Sequence, residues 1–178
     1  TALHSLRKKS GESYLTGPLA RVSLNAGRLS SQAKQLANEI GIVWPCYNPF
    51  YSIVARGLEL VHVYEEALDI MRSNCSADPP RISYEYQAGE GCAATEAPRG
   101  VLYHRYAVDD AGKVCEAKIV PPTSQNQAQL ESDLRDWVPH ALHDDEAATA
   151  RQFENLVRCY DPCISCSTHF LKVDIERT

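Results

Sequence analysis

The feature that most constrains this fold is a long helical period enclosed by prolines. Pro45 and Pro49 break the chain ahead of it, and Asp78-Pro79-Pro80 ends it. A proline inside a helix removes a backbone hydrogen bond and clashes with the preceding turn, so the helix must lie between these points. Across residues 50–72 the apolar positions Ile53, Leu60, Val61, Tyr64, Ala67, Leu68 and Met71 recur at helical spacing. With 178 residues the chain fits a single domain over 1–178, large enough to bury a sizeable core.

Other elements follow from local signals. The stretch through residues 15–21 holds turn residues and reads as loop. Residues 30–40 carry helix formers behind a Ser cap. Ile82-Ser83-Tyr84-Glu85-Tyr86 alternates like a strand. The runs at 101–108 and 114–120 flank Asp109-Asp110-Ala111-Gly112-Lys113 and predict a β-hairpin. Helices are expected near 126–137 and 145–159, with Pro162 stopping the second. The fold class is mainly α with a small antiparallel β-sheet (α+β).

A formal net charge of -5 argues against a nucleic-acid partner. No run approaches the ~20 apolar residues of a membrane-spanning helix, so no membrane insertion is expected. Seven cysteines cannot all pair internally. Cys46, Cys75, Cys92 and Cys115 lie scattered and read as buried free thiols. Cys159, Cys163 and Cys166 crowd near the C-terminus, which reads as one metal or redox site in a reducing, cytoplasmic compartment.

The chemistry concentrates in Asp161-Pro162-Cys163-Ile164-Ser165-Cys166-Ser167-Thr168-His169. Two thiolates separated by two residues can curl around one metal ion, and a preceding helix can present them rigidly. Zinc ribbons and redox pairs share that spacing, so it leaves metal binding somewhat ahead of thiol exchange, with no metal specified. The whole string is more specific, and resembles the closing signature of nickel-iron hydrogenase large subunits. Three further segments match that family in order: Thr16-Gly17-Pro18-Leu19-Ala20-Arg21; Glu96-Ala97-Pro98-Arg99-Gly100, with His104 after it; and Val120-Pro121-Pro122-Thr123-Ser124, with Asn126 after it. Asn48-Pro49-Phe50 leading into a long helix is similar to the cytoplasmic, multimeric branch.

The resemblance implies the C-terminal portion of a large subunit that cleaves H2 heterolytically and reversibly at a thiolate-bound Ni-Fe centre carrying CN and CO. It makes Cys163 a terminal nickel ligand and Cys166 a thiolate bridging nickel and iron, and deprotonated soft sulfurs suit both metals. Arg99 becomes the catalytic guanidinium above the open side of the metals. Pro98 and Thr123 line the diatomic-ligand pocket, while His169 and the Ile119 carbonyl help hold Mg. An iron-sulfur small subunit is the implied partner, because the chain shows no cluster motif of its own.

Plainer readings stand beside these. Arg99 can simply pair with Glu96; Glu96 is a turn residue or supports the site by a hydrogen bond; His104 is a packed core histidine; His62 is structural; Cys159 is a bystander. The second cysteine pair that the family takes from its N-terminal part is absent here, as is the glutamate that relays protons. The chain, which begins Thr1-Ala2-Leu3-His4, is therefore expected to be cut from something longer. Alone it should be inactive, metal-free or zinc-loaded, and prone to self-association through an uncovered apolar face. The residues 170–178 alternate as a strand would. Two alternatives remain: a non-catalytic scaffold relative, and a small zinc protein using Cys163, Cys166 and His169.

Overall fold

The computed structural model describes residues 6–73, 81, 83–142 and 145–163. Cys75, Cys166, His169 and the alternating tail lie outside the described residues.

Residues expected to form a loop instead start the first helix, α1 (Pro18–Asn25). Pro18 stands in its first turn, where a missing N–H costs nothing and the ring pre-sets φ. Arg21 N closes the first turn onto Gly17 O at 2.9 Å. A 3-10 turn leads to α2 (Ser31–Ile40), which ends on Gly41 in the left-handed conformation. Ser30 occupies the cap position, yet its hydroxyl makes no capping bond. The next long helix caps α2 instead: Gln32 N donates to Glu65 Oε2 at 3.0 Å, and Ser30 N donates to His62 Nδ1 at 3.2 Å.

That long helix is α3 (Ser52–Arg72), entered through a 3-10 turn whose first N–H, on Phe50, is capped by Asn48 Oδ1 at 3.0 Å. Leu19, Val22, Leu29, Ala33, Ala37, Ala55 and Leu58 form the core between α1, α2 and the N-terminal part of α3. The expected helical period is present, but its apolar residues mostly face solvent: Ile53 is 56% exposed, Leu60 55%, Tyr64 71% and Met71 67%. The cause is length. Helices of 8 and 10 residues cover only one flank of a helix of 21.

Strands β1 (Gly89–Ala97), β2 (Gly100–Val108) and β3 (Val114–Val120) form an antiparallel meander in that order. The expected hairpin is β2–β3, and Asp109 Oδ1 holds its turn by accepting from the N–H groups of Ala111 and Lys113. The first strand is not the alternating stretch near residue 84. Residues 83–88 form no strand, and the small residues from Gly89 onward pair with β2 instead. Ladder pairing across a two-residue turn has overridden strand propensity. Cys92 and Cys115 sit exposed on the two outer strands, contrary to the reading of them as core thiols, while Cys159 is buried and Cys46 half-buried. His104 is half-buried on β2, its Nδ1 3.0 Å from Tyr106 Oη, so it too lies on a sheet face instead of in a core.

α4 (Pro122–Ala141) begins and ends beyond the expected span, with Pro122 in its first turn. α5 (Glu146–Cys159) is capped by Asp145, whose side chain accepts from Ala147 N at 3.0 Å. Phe50 and Trp137, with ring centroids 5.0 Å apart, join the start of α3 to α4. Among the described residues no helix is long and apolar enough to cross a membrane.

Candidate active site

Two of the motif segments meet backbone to backbone, and a third reaches them through side-chain amides. Gly17 has φ 115 and ψ -163, and a Cβ there would stand 2.7 Å from the carbonyl oxygen of Arg99. Gly100 has φ 133, and a Cβ on it would stand 2.6 Å from Thr16 Oγ1. Only glycine permits both the angles and the approach. The Thr16 hydroxyl accepts from Val101 N at 3.0 Å. Asn126 clasps Thr16 from the other side, accepting from its N–H at 2.7 Å and donating to its carbonyl at 2.9 Å. Gln125, 1% exposed, donates to the carbonyls of Val101 and Val120 and accepts from Tyr14 Oη. These buried amides tie the first turns of α4 to the sheet and to the segment entering α1.

Arg21 on α1 fixes the tip of the β1–β2 hairpin. Its Nε and Nη2 grip both oxygens of Glu59 at 2.6 and 2.7 Å. Its Nη1 donates to Glu96 Oε1 at 2.6 Å and to the Ala97 carbonyl at 2.9 Å, and Nη2 also donates to the Pro98 carbonyl at 2.8 Å. Burial works against the charge, but Glu59 and Glu96 outweigh it and hold the guanidinium above its ordinary pKa.

Arg99, at that hairpin tip, does not pair with Glu96. Its Nε donates to the Asp161 carbonyl at 2.8 Å and lies 3.0 Å from Asp161 Oδ2, and Arg56 approaches the same oxygen at 3.8 Å. Asp161 takes a positive φ of 48, directly ahead of Pro162 and Cys163. Cys163 N donates to Thr123 Oγ1 at 3.2 Å. The strap over residues 160–163 is thus tied to α4 at Thr123 and to the hairpin tip at Arg99. It is tied to α4 again through Tyr160, whose hydroxyl donates to Asp133. Burial, and then Asp133, push the Tyr160 phenol well above its ordinary pKa. Gln129 donates to the other Asp133 oxygen at 2.7 Å, and Ser13 donates to Gln129 at 2.7 Å.

Pro98, Arg99, Thr123 and Cys163 are therefore brought to one end of the molecule. Pro98 and Asp161 border a cleft of about 850 Å³, walled by Arg21, Arg56, Leu60 and Val63. Ile119 lies on β3 opposite His104, one residue before the strand ends at Val120. Asp161, Arg56, Glu59, Asp133 and Tyr160 escaped the sequence reading. Asp161 and Arg21 lie inside motif strings, but the other four carry no pattern that separates them from ordinary helix residues.

Residues 10–169 match the nickel-dependent hydrogenase family. The chain belongs to that family. Among its relatives is the sulfhydrogenase 1 alpha subunit of Pyrococcus furiosus, 35% identical over 96% of this chain and 41% of its own length. Another comes from the F420-non-reducing hydrogenase of Methanothermobacter marburgensis, 35% identical over 65% of this chain and 25% of its own. The chain thus spans about two fifths of the length of the first of these relatives. Its fold is that of a solved NAD+-reducing [NiFe]-hydrogenase in the H2-reduced state, with TM-score 0.70, 24% identity, and 91% and 37% of the two chains covered. The Ni-Fe-Se hydrogenase of Desulfovibrio vulgaris Hildenborough matches at TM-score 0.61 and 23% identity, over 90% and 36% of the chains.

Among the described residues no three His, Cys, Asp or Glu groups converge as a metal site. What is present is a thiol at Cys163, two residues after the Asp161 that holds Arg99, with its own N–H bonded to Thr123, and a cleft bordered by Asp161 and Pro98. The thiol is of the donor type that would suit a nickel-iron centre.

Proposed function

We propose that this chain supplies one half of the catalytic centre of a nickel-iron hydrogenase, an enzyme that cleaves H2 heterolytically and reversibly. The observation that carries this reading is the convergence of Arg99, Thr123 and Cys163 through the Asp161–Cys163 strap. Cys163 and Cys166 would hold the centre as thiolates, soft donors suited to both nickel and iron. When bound, the Ni-Fe group with its CN and CO ligands supplies the polarisation that splits H2.

The chain's own residues have separate tasks. Arg99, anchored through its Nε, keeps its terminal nitrogens for the anionic side of the centre, where a pre-placed cation in a shielded site acts more strongly than in water. Pro98 presents an apolar wall suited to carbon monoxide. Thr123 accepts from Cys163 N, so its hydroxyl proton remains for a cyanide nitrogen. His169 and the Ile119 carbonyl serve a magnesium ion. The other two cysteines come from the rest of a longer large subunit, and an iron-sulfur small subunit takes the electrons. That assembly is cytoplasmic, and this chain by itself is inactive.

Elemental analysis tests the assignment. The full-length large subunit, bound to its partner, should hold nickel and iron near one each per chain and lose both on Cys163→Ser. This chain alone should hold neither. Stoichiometric zinc in the assembled enzyme, or unchanged nickel in the variant, would overturn the reading.

A further inference from the structure

We infer that Arg21 is a positioning residue for Arg99, setting the height and direction of the Pro98–Arg99 turn through the carbonyls that precede it. The inference rests on the proposed function for its catalytic consequence, but not for its geometry.

Arg21 donates from all five guanidinium N–H groups. A guanidinium holds its donors in a rigid planar fork, and here the fork is fully used. One edge is locked onto both oxygens of Glu59, a residue of α3, so the plane is set by the helical core. The remaining donors reach three consecutive residues of the hairpin: the Glu96 side chain and the Ala97 and Pro98 carbonyls. The next residue is Arg99. Fixing the two preceding peptide planes leaves Arg99 little freedom beyond its own side chain, and Gly17 closes the far side of the turn at its carbonyl. Arg21 itself is 24% exposed at its side chain and borders the same cleft as Pro98. Its hydrogen bonds go to Glu59, Glu96 and the Ala97 and Pro98 carbonyls, so it acts on Arg99 through the backbone.

A lysine keeps the charge but has one nitrogen, and it cannot serve Glu59 and the two carbonyls in one plane. The test is Arg21→Lys in this chain, read at Arg99. Hydrogen exchange of the 15N-labelled Arg99 Nε–H and tryptic cleavage after Arg99 should both rise at least about tenfold, with the far-UV circular dichroism unchanged. Glu96→Gln, which keeps the Glu59 grip, should give a smaller rise of about threefold, and it serves as the readout if Arg21→Lys does not fold. Both variants within twofold of wild type at Arg99 would overturn the inference. In the full-length, metal-loaded enzyme Arg21→Lys should shift the cyanide infrared bands and lower kcat, with nickel content unchanged and KM within twofold. Unshifted bands alongside loosened Arg99 would refute the catalytic consequence. Absence of nickel and iron from the wild-type enzyme would instead defeat the proposed function, leaving the exchange and cleavage results to decide the role of Arg21.

Discussion

Replacing Gly17 by alanine tests whether the contact between the segments at Thr16 and Arg99 holds the site together. Two costs add. At φ 115 and ψ -163 the backbone occupies a region open essentially to glycine alone, where another residue costs about 1–3 kcal/mol. The new methyl would also stand 2.7 Å from the Arg99 carbonyl oxygen. That oxygen belongs to a two-residue turn gripped by Arg21, so it cannot retreat cheaply, and overpacking of this kind costs about another 1–3 kcal/mol. The sum is about 4 kcal/mol. Gly41→Ala is the control: it also has a positive φ, of 74, but nothing lies within 4 Å of its Cβ position. It should lose only the left-handed strain, about 1–2 kcal/mol. Both variants gain the same entropy benefit from a stiffer unfolded chain, so that contribution cancels in the comparison. Urea unfolding followed by the fluorescence of Trp44 and Trp137 measures the two losses side by side. Equal losses, within about 0.5 kcal/mol, would mean that the close approach carries no energy and would refute the lock.

Gln125→Leu strips a partner from each of two partly buried carbonyls and from Tyr14, and should cost about 2–3 kcal/mol in the same urea assay. A neutral result would mean that the amide is not a tie between α4 and β2. Tyr160 predicts an alkaline limit: a raised folded pKa gives stability that is complete below the unfolded value of about 10 and is lost as pH climbs above it. Tyr160→Phe should be less stable at pH 7 and should lack that decline, and parallel curves for both proteins above pH 10 would show that the phenol is not responsible. Size-exclusion of this chain should give dimers or larger species, since Ile53, Leu60, Tyr64 and Met71 expose a continuous apolar stripe. A clean monomer would count against that.

Period was legible in this sequence; direction was not. The helix spacing of residues 50–72 and the hairpin around Asp109 emerged as read, because each is set by residues near one another in the chain. Which side of α3 is buried depends on what packs against it, and Ala55 and Leu58 take that place because they meet the core residues of α1 and α2. The strand β1 was missed for a related reason: Gly89, Gly91, Ala93 and Ala94 have poor strand propensity, and only pairing with β2 makes them a strand. Arg99, Thr123 and Cys163, which the fold links through Asp161 and a Cys163–Thr123 bond, were singled out through their strings. Their restraints were not, since Glu59 and Asp133 resemble any solvated helix carboxylate until the fold brings Arg21 and Tyr160 to them. The expected Ser30 cap failed similarly, its place taken by Glu65 from another helix.

The open cleft and the exposed stripe are a single surface. Leu60 and Val63 belong to both, each more than half exposed on α3 while also walling the cleft beside Pro98 and Asp161. A partner surface that filled the cleft would also cover apolar residues that α1 and α2 leave bare. On the proposed function, a metal ion offered to this chain alone would meet an incomplete donor set, and a partial donor set binds weakly. Covering the stripe without cysteines would restore solubility and no chemistry. Glycine contacts, buried amides and a saturated guanidinium hold the Thr16, Arg99 and Thr123 segments against one another. On the proposed function, that wall would stand in place before the rest of the centre assembles.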